Sequence, residues 1–199
     1  MIESSDLSHI VEILKSSSLK VLAVDGFPGA GKSTLANFIA EKLNWQHINL
    51  DDYIEKHQGQ YINSMQNYKI IDLINTQKVP VIIEGLCLLQ ILQINNIDYD
   101  FLIYVKKISL SGNWIDKDEY FSSGDVEKFV TKKRKDYEKI SKIGAMFDRD
   151  ASSDEYVFND VIEEVIRYND KYSPHMVANI IYSRIDVSPH DLASQGITT

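Results

Sequence analysis

A single cysteine, Cys87, is all that the 199 residues carry. No intrachain disulfide can form, and a reducing compartment is the expectation. Long hydrophobic runs are missing too: none approaches the ~18 residues that would span a bilayer, and Met1 to Asp6 lack the basic stretch of a secretory leader. A cytoplasmic protein with no membrane partner is expected. Positive charge is scarce, with 21 Lys and Arg against 29 Asp and Glu and a net charge of -8. Such a chain has little basic surface with which to displace counterions from a phosphate backbone, so nucleic acid is not an expected partner. There is no repeat of fixed period, no low-complexity tract, and no Cys and His spacing that would hold zinc. Association with further copies of the chain is left open.

What is present is the composition of an ordinary globular domain, 44% apolar and 25% charged, at a length that suits one domain over 1–199. Within residues 1–18, Asp6 is placed to cap a short helix carrying Leu7, Ile10, Val11 and Leu14 on one side. Leu19 to Asp25 contains the continuous apolar stretch Val21-Leu22-Ala23-Val24, the pattern of a strand buried on both faces. Ser33 to Leu43 then repeats apolar residues at helical spacing. Strand and helix go on alternating through His47 to Leu50, Ser64 to Gln77 with Tyr68, Ile71 and Ile74 inward, Val81 to Ile83, Leu86 to Leu92, and Phe101 to Val105. From Ser109 to Asp125 no strand is evident. Two helices follow, Val126 to Ser141 and Val157 to Arg167, then an apolar strand, Ala178 to Tyr182, and an irregular tail from Ser188. The alternation predicts a parallel sheet of about five strands flanked by helices. Residues 19–108 form its core, 109–156 an inserted helical lid, and 157–199 the last helix, strand and tail.

Between the first strand and its helix lies Gly26-Phe27-Pro28-Gly29-Ala30-Gly31-Lys32-Ser33, followed by Thr34. Glycines at these places let successive backbone N–H groups close on phosphate oxygens, and the helix start adds its dipole. Lys32 is placed to reach the β- and γ-phosphates and the Ser33 hydroxyl to reach magnesium, so Gly26 to Thr34 reads as an ATP and Mg2+ cradle, a P-loop or Walker A segment. The expected class is therefore α/β, a three-layer P-loop NTPase fold. No Asn-Lys-x-Asp or Asp-x-x-Gly occurs, which argues against a GTPase.

Four segments in order carry a further likeness: the P-loop, Asn49-Leu50-Asp51-Asp52-Tyr53, Val81-Ile82-Ile83-Glu84-Gly85, and Phe101 to Val105. With the weaker Tyr172-Ser173-Pro174 before Ala178 to Tyr182, the chain resembles the small-molecule kinases of the uridine kinase, phosphoribulokinase and nicotinamide riboside kinase group. The likeness covers about 20–105 and, more loosely, 165–182. It departs at Lys106-Lys107, where the group carries arginines.

Strand ends of a parallel sheet deliver their residues to one edge, so Asp51 and Asp52 arrive beside the γ-phosphate. One can serve as general base while the other orients magnesium through water, and helix capping is the alternative for either. The resemblance implies Asp51 as the base, with Lys32, Asp51 and Asp52 as the catalytic set. It also places Glu84 at the substrate and magnesium site, giving Ser33, Asp52 and Glu84 as metal-facing residues. Tyr53, His57 and Tyr61 read either as a substrate wall or as packing. Lys133 falls inside the apolar stripe of its helix and Arg134 on its flank, so these or Arg149 are candidates to meet phosphate on closure, unless they form a solvated basic face. Cys87 and Trp114 read as packing and His175 as no metal ligand.

The resulting expectation is an ATP- and Mg2+-dependent kinase acting on a hydroxyl of a small metabolite, with nucleosides or ribosyl compounds leading. The alternatives are an ATP-binding regulatory switch without an acceptor, or a nucleotide or sugar-nucleotide kinase.

Overall fold

In the computed structural model, which describes residues 1–55, 60–122, 124–147 and 157–186, six parallel strands form one sheet in the order β1-β6-β5-β2-β4-β3. The strands are β1 (Ile2–Ser4), β2 (Val21–Gly26), β3 (Gln46–Asn49), β4 (Val81–Glu84), β5 (Phe101–Ile108) and β6 (Ile180–Ile185). Between them run α1 (Leu7–Lys15), α2 (Lys32–Leu43), α3 (Asn67–Thr76), α4 (Leu88–Ile94), α5 (Lys117–Tyr120), α6 (Val126–Phe147), α7 (Asp160–Tyr172) and α8 (Pro174–Val177). None of the described helices is long and apolar enough to cross a membrane.

Side chains of a strand alternate between the two faces, so the apolar run of β2 feeds two cores at once. Val21 and Ala23 pack with α3, α4 and α7 through Ile70, Leu88, Leu92, Val165 and Tyr168. Leu22 and Val24 pack with α1 and α2 through Ile10, Leu14, Leu35 and Ile39. The three layers are therefore two helical coats around a sheet whose middle strand is wholly buried. The expected cap on α1 is present: the Asp6 carboxylate accepts from the Ser8 and His9 amides at 2.8 and 3.4 Å.

Several expected elements are revised. The sheet has six strands rather than five, because Ile2–Ser4 pairs with β6 at the edge, Ile2 opposite Ile180. Three residues are too few to show an alternating pattern. On α3 the inward residue is Ile70, while Tyr68 is 69% exposed and Ile71 36%. Of the three expected residues Ile74 does pack, partly buried, against the core, and the helix starts at Asn67 rather than Ser64. The last helix starts at Asp160, capped by Asn159 Oδ1 on the Ile162 amide at 3.0 Å, and leaves Val157 outside. The strand expected to end at Tyr182 continues to Ile185, and β5 continues to Ile108.

The first part of the expected lid is built into the core. Trp114 stacks on Phe27 of the P-loop, centroids 5.4 Å apart, and Tyr120 and Phe121 lie 4.9 and 5.3 Å from the same ring. These contacts bury Phe27 to 2% exposure. Helix α6 then lies against α7, with Arg167 of α7 clamped on Glu127 and Glu163, and Arg134 on Glu163 at 2.5 Å.

Candidate active site

β2 ends beneath the P-loop, in the middle of the sheet and flanked by β4 and β5. A Cβ on Gly26 would stand 2.6 Å from the Val105 carbonyl oxygen, so the strand pairing itself demands glycine there. Gly31 turns the chain at φ +97°, a left-handed conformation, and caps α2 without a side-chain hydrogen bond. The first N–H groups of α2 are thereby left facing outward, which is what an anion requires. Lys32 is folded back: its Nζ donates to the carbonyls of Gly26 and Phe27 at 3.2 and 3.1 Å. Burial pulls its pKa down, opposed by Asp25, Glu84 and Asp51.

The P-loop lines a cavity of about 410 Å3 together with Asp51, Glu84, Leu86 and Arg184. Asp51 stands in a single 3-10 turn after β3, Leu50–Tyr53, started by Asn49 Oδ1 accepting from the Asp51 amide. Tyr61 Oη donates to Asp51 Oδ1 at 2.6 Å and accepts from the Leu86 amide at 3.2 Å. Tyr61 is itself seated by Glu164 of α7, whose Oε2 accepts from its amide at 2.7 Å. Asp51 is thus a solvent-facing carboxylate with one oxygen fixed by a buried phenol.

Glu84 comes to the same edge at the end of β4, opposite Asn49 and Val24. It is 1% exposed, and its Oε1 has no hydrogen-bond partner. Burial pushes its pKa up, but His47, Ser33 and Lys32 outweigh that and hold it below the ordinary glutamate value. His47 Nε2 lies 3.6 Å from Glu84, and its Nδ1 lies 2.8 Å from Asn37 Oδ1.

Of the expected site residues, the structure brings Pro28, Gly29, Gly31 to Thr34, Asp51 and Glu84 to one cavity, with Tyr61 bonded to Asp51, while Phe27 and Ala30 are buried behind it. Asp52 is exposed beside Asp51, and Tyr53 is partly buried against the core behind them. Lys133 and Arg134 do not line the cavity: Lys133 pairs with Glu119 and Arg134 with Glu163. His57 and Arg149 lie outside the described residues.

Sequence reasoning missed Asp25, Tyr168, His47, Glu164 and Arg184. Asp25 had a signal, a lone carboxylate ending an apolar strand. It accepts from the Gly26 amide at 2.6 Å and from Tyr168 Oη, whose oxygen accepts in turn from the Leu89 amide at 3.2 Å. Burial raises the Asp25 pKa to about 6, against the pull of Tyr168, Gly26 and Lys32. The folded value lies above the unfolded one of about 3.9. Asp25 therefore stabilises the fold below pH ~4, and that contribution is lost as pH rises through ~6, a change on the order of 3 kcal/mol. Urea unfolding of the parent and Asp25→Asn between pH 4.5 and 7.5 should show this loss in the parent and a flatter profile in the variant. Parallel profiles would remove Asp25 as the cause.

Comparison with known proteins singles out the same region. A family model described as shikimate kinase matches residues 28–69. A relative named "Putative adenylate kinase" from Thermococcus kodakarensis is 46% identical over 41 residues, 20% of this chain and 23% of the relative. A shikimate kinase from a Sulfurihydrogenibium species is 37% identical over 51 residues, 26% of this chain and 31% of the relative. The matched stretch thus spans only about a quarter to a third of the length of these curated relatives. The solved structure of a "putative fructose transport system kinase" from Silicibacter sp. TM1040 is similar at 12% identity and TM-score 0.51, over 90% of this chain and all of that one. A "possible uridine kinase" from Bacillus stearothermophilus is similar at 13% identity and TM-score 0.48, over 88% of this chain and 96% of that one. Taken with the parallel sheet and the glycine-rich turn after β2, the likeness to the Silicibacter structure shows the three-layer α/β P-loop fold.

Proposed function

We propose that this protein is a kinase that moves the γ-phosphate of ATP, with Mg2+, onto a hydroxyl of a small metabolite, a nucleoside or ribosyl compound being the leading class. The observation that carries the reading is Asp51, held by Tyr61 across a single cavity from Lys32 and Ser33. A P-loop alone binds phosphate. A pinned carboxylate facing it adds a place for the acceptor's proton.

The residues present suit a divalent cation: Ser33 offers a hydroxyl, Glu84 a buried carboxylate at the end of its strand, and Asp52 an exposed carboxylate beside Asp51. Bound there, magnesium would neutralise charge on the β- and γ-phosphate oxygens. Lys32 leaves the Gly26 and Phe27 carbonyls for the phosphate oxygens, while the N–H groups at the start of α2 hold them in place. Asp51 accepts the proton of the acceptor hydroxyl through the oxygen that Tyr61 does not occupy.

The names of the relatives point to two acceptor chemistries, the phosphate of adenylate and the hydroxyls of shikimate. The cavity favours a hydroxyl. Asp51 and Glu84 both line it, and their carboxylates would repel an acceptor phosphate. The test is ATP consumption with and without a panel of nucleosides, sugars and nucleotides, with the products resolved. A phosphorylated neutral alcohol supports the proposal. A nucleoside monophosphate as sole acceptor overturns the hydroxyl assignment, and a panel-independent basal rate without product favours the acceptorless switch.

A further inference from the structure

We propose that Arg184 is a second phosphate-binding cation of the nucleotide site, acting with Lys32 from the end of β6. The inference deepens the kinase reading and rests on its nucleotide half alone. In the sheet, Arg184 stands opposite Lys107 of β5, two positions past the residue at which an apolar pattern would end the strand. Its side chain reaches back over the P-loop, so that a Cβ on Gly31 would lie 2.6 Å from Nη1 and 3.2 Å from Cζ. The guanidinium therefore lies across the N-terminal end of α2, a 12-residue helix.

That is an unfavourable place for a cation. The helix start carries partial positive charge, and Lys32 adds a full one beside it. The two positive side chains and the outward N–H groups line one cavity. A polyanion entering between them relieves all three. The guanidinium is also incompletely satisfied: Nη2 donates to Asp186 Oδ1 at 3.0 Å, while Nε is buried with no partner among the described residues. An arginine offers a planar fork of donors, so Nη2 can stay on Asp186 while the remaining edge takes a phosphate oxygen. If it swings away altogether, Asp186 is not stranded, because Lys107 Nζ holds its other oxygen at 3.1 Å. The carboxylate therefore orients Arg184 without trapping it.

The experiment is direct titration of the full chain with ATP, and separately with inorganic tripolyphosphate, by calorimetry. Arg184→Gln should weaken both by about the same factor, roughly 10- to 100-fold, the usual worth of a hydrogen bond to a charged group. Arg184→Lys, which keeps the charge without the fork, should fall between parent and Gln and serves if the Gln variant unfolds. Asp186→Asn separates a binding role from a structural one. It should leave affinity unchanged or higher, whereas a loss equal to that of Arg184→Gln would show that the pair merely holds the strand end and would overturn the proposal. Unchanged affinity in both Arg184 variants, or a loss for ATP with none for tripolyphosphate, overturns it as well. Because no acceptor is present, the result is independent of whether any alcohol is phosphorylated.

Discussion

Lys32→Ala should lose phosphoryl transfer by on the order of 10²- to 10³-fold, the cost of removing one preorganised charge from such a transition state, and should bind ATP far more weakly. The structure explains why one amine matters so much. Among the described residues Lys32 hydrogen-bonds only to the carbonyls of Gly26 and Phe27, and it is buried, so its charge is poorly solvated. Phosphate oxygens offer it stronger partners than those carbonyls do. Lys32→Met is the companion variant, since it keeps most of the volume and separates the charge from the packing. Calorimetric titration and product assays on both variants check the expectation. Tight ATP binding in either would refute the cradle assignment.

Asp51→Asn should have a different signature: ATP affinity close to the parent, with turnover down by roughly 10²- to 10⁴-fold, the range that a positioned base supplies. Asn is nearly isosteric and its amide oxygen can still accept from Tyr61 Oη, so the bond at 2.6 Å and the turn at Leu50–Tyr53 are retained. What disappears is the ability to take a proton. Turnover and ATP affinity must therefore separate. A variant with normal turnover would end the role of Asp51, and one that loses both together would show that Asp51 shapes the nucleotide site instead.

How much of this was legible in the sequence follows from how local each feature is. The P-loop and its neighbours were legible because strand, turn and helix start are consecutive in the chain, and each has its own pattern. Asp51 and Glu84 were legible because parallel strands end at one edge whatever their order. Arg184 was not, because it is placed by the register Lys107 to Arg184 across the sheet, and the apolar run gives no warning that the strand continues to Ile185. The helical wheel did locate Lys133 in a partly buried stripe, but its partner, Glu119, comes from α5 and no wheel contains it. Edge strand β1 was lost for lack of length, and the face of α3 because Ile70, Ile71, Leu73 and Ile74 make two overlapping apolar stripes.

Helix α7 carries a consequence for how the molecule would respond to damage. Within six residues it holds Glu163 against Arg134 of α6, Glu164 against the amide that seats Tyr61, and Tyr168 against Asp25 beneath the P-loop. A helix rises only ~1.5 Å per residue, so these attachments share one short, stiff rod. The Tyr61 and Asp51 pair, the P-loop and the long outer helix are thus fastened to a common beam. Their positions are inherited together, and a load applied to any one is shared by the other two.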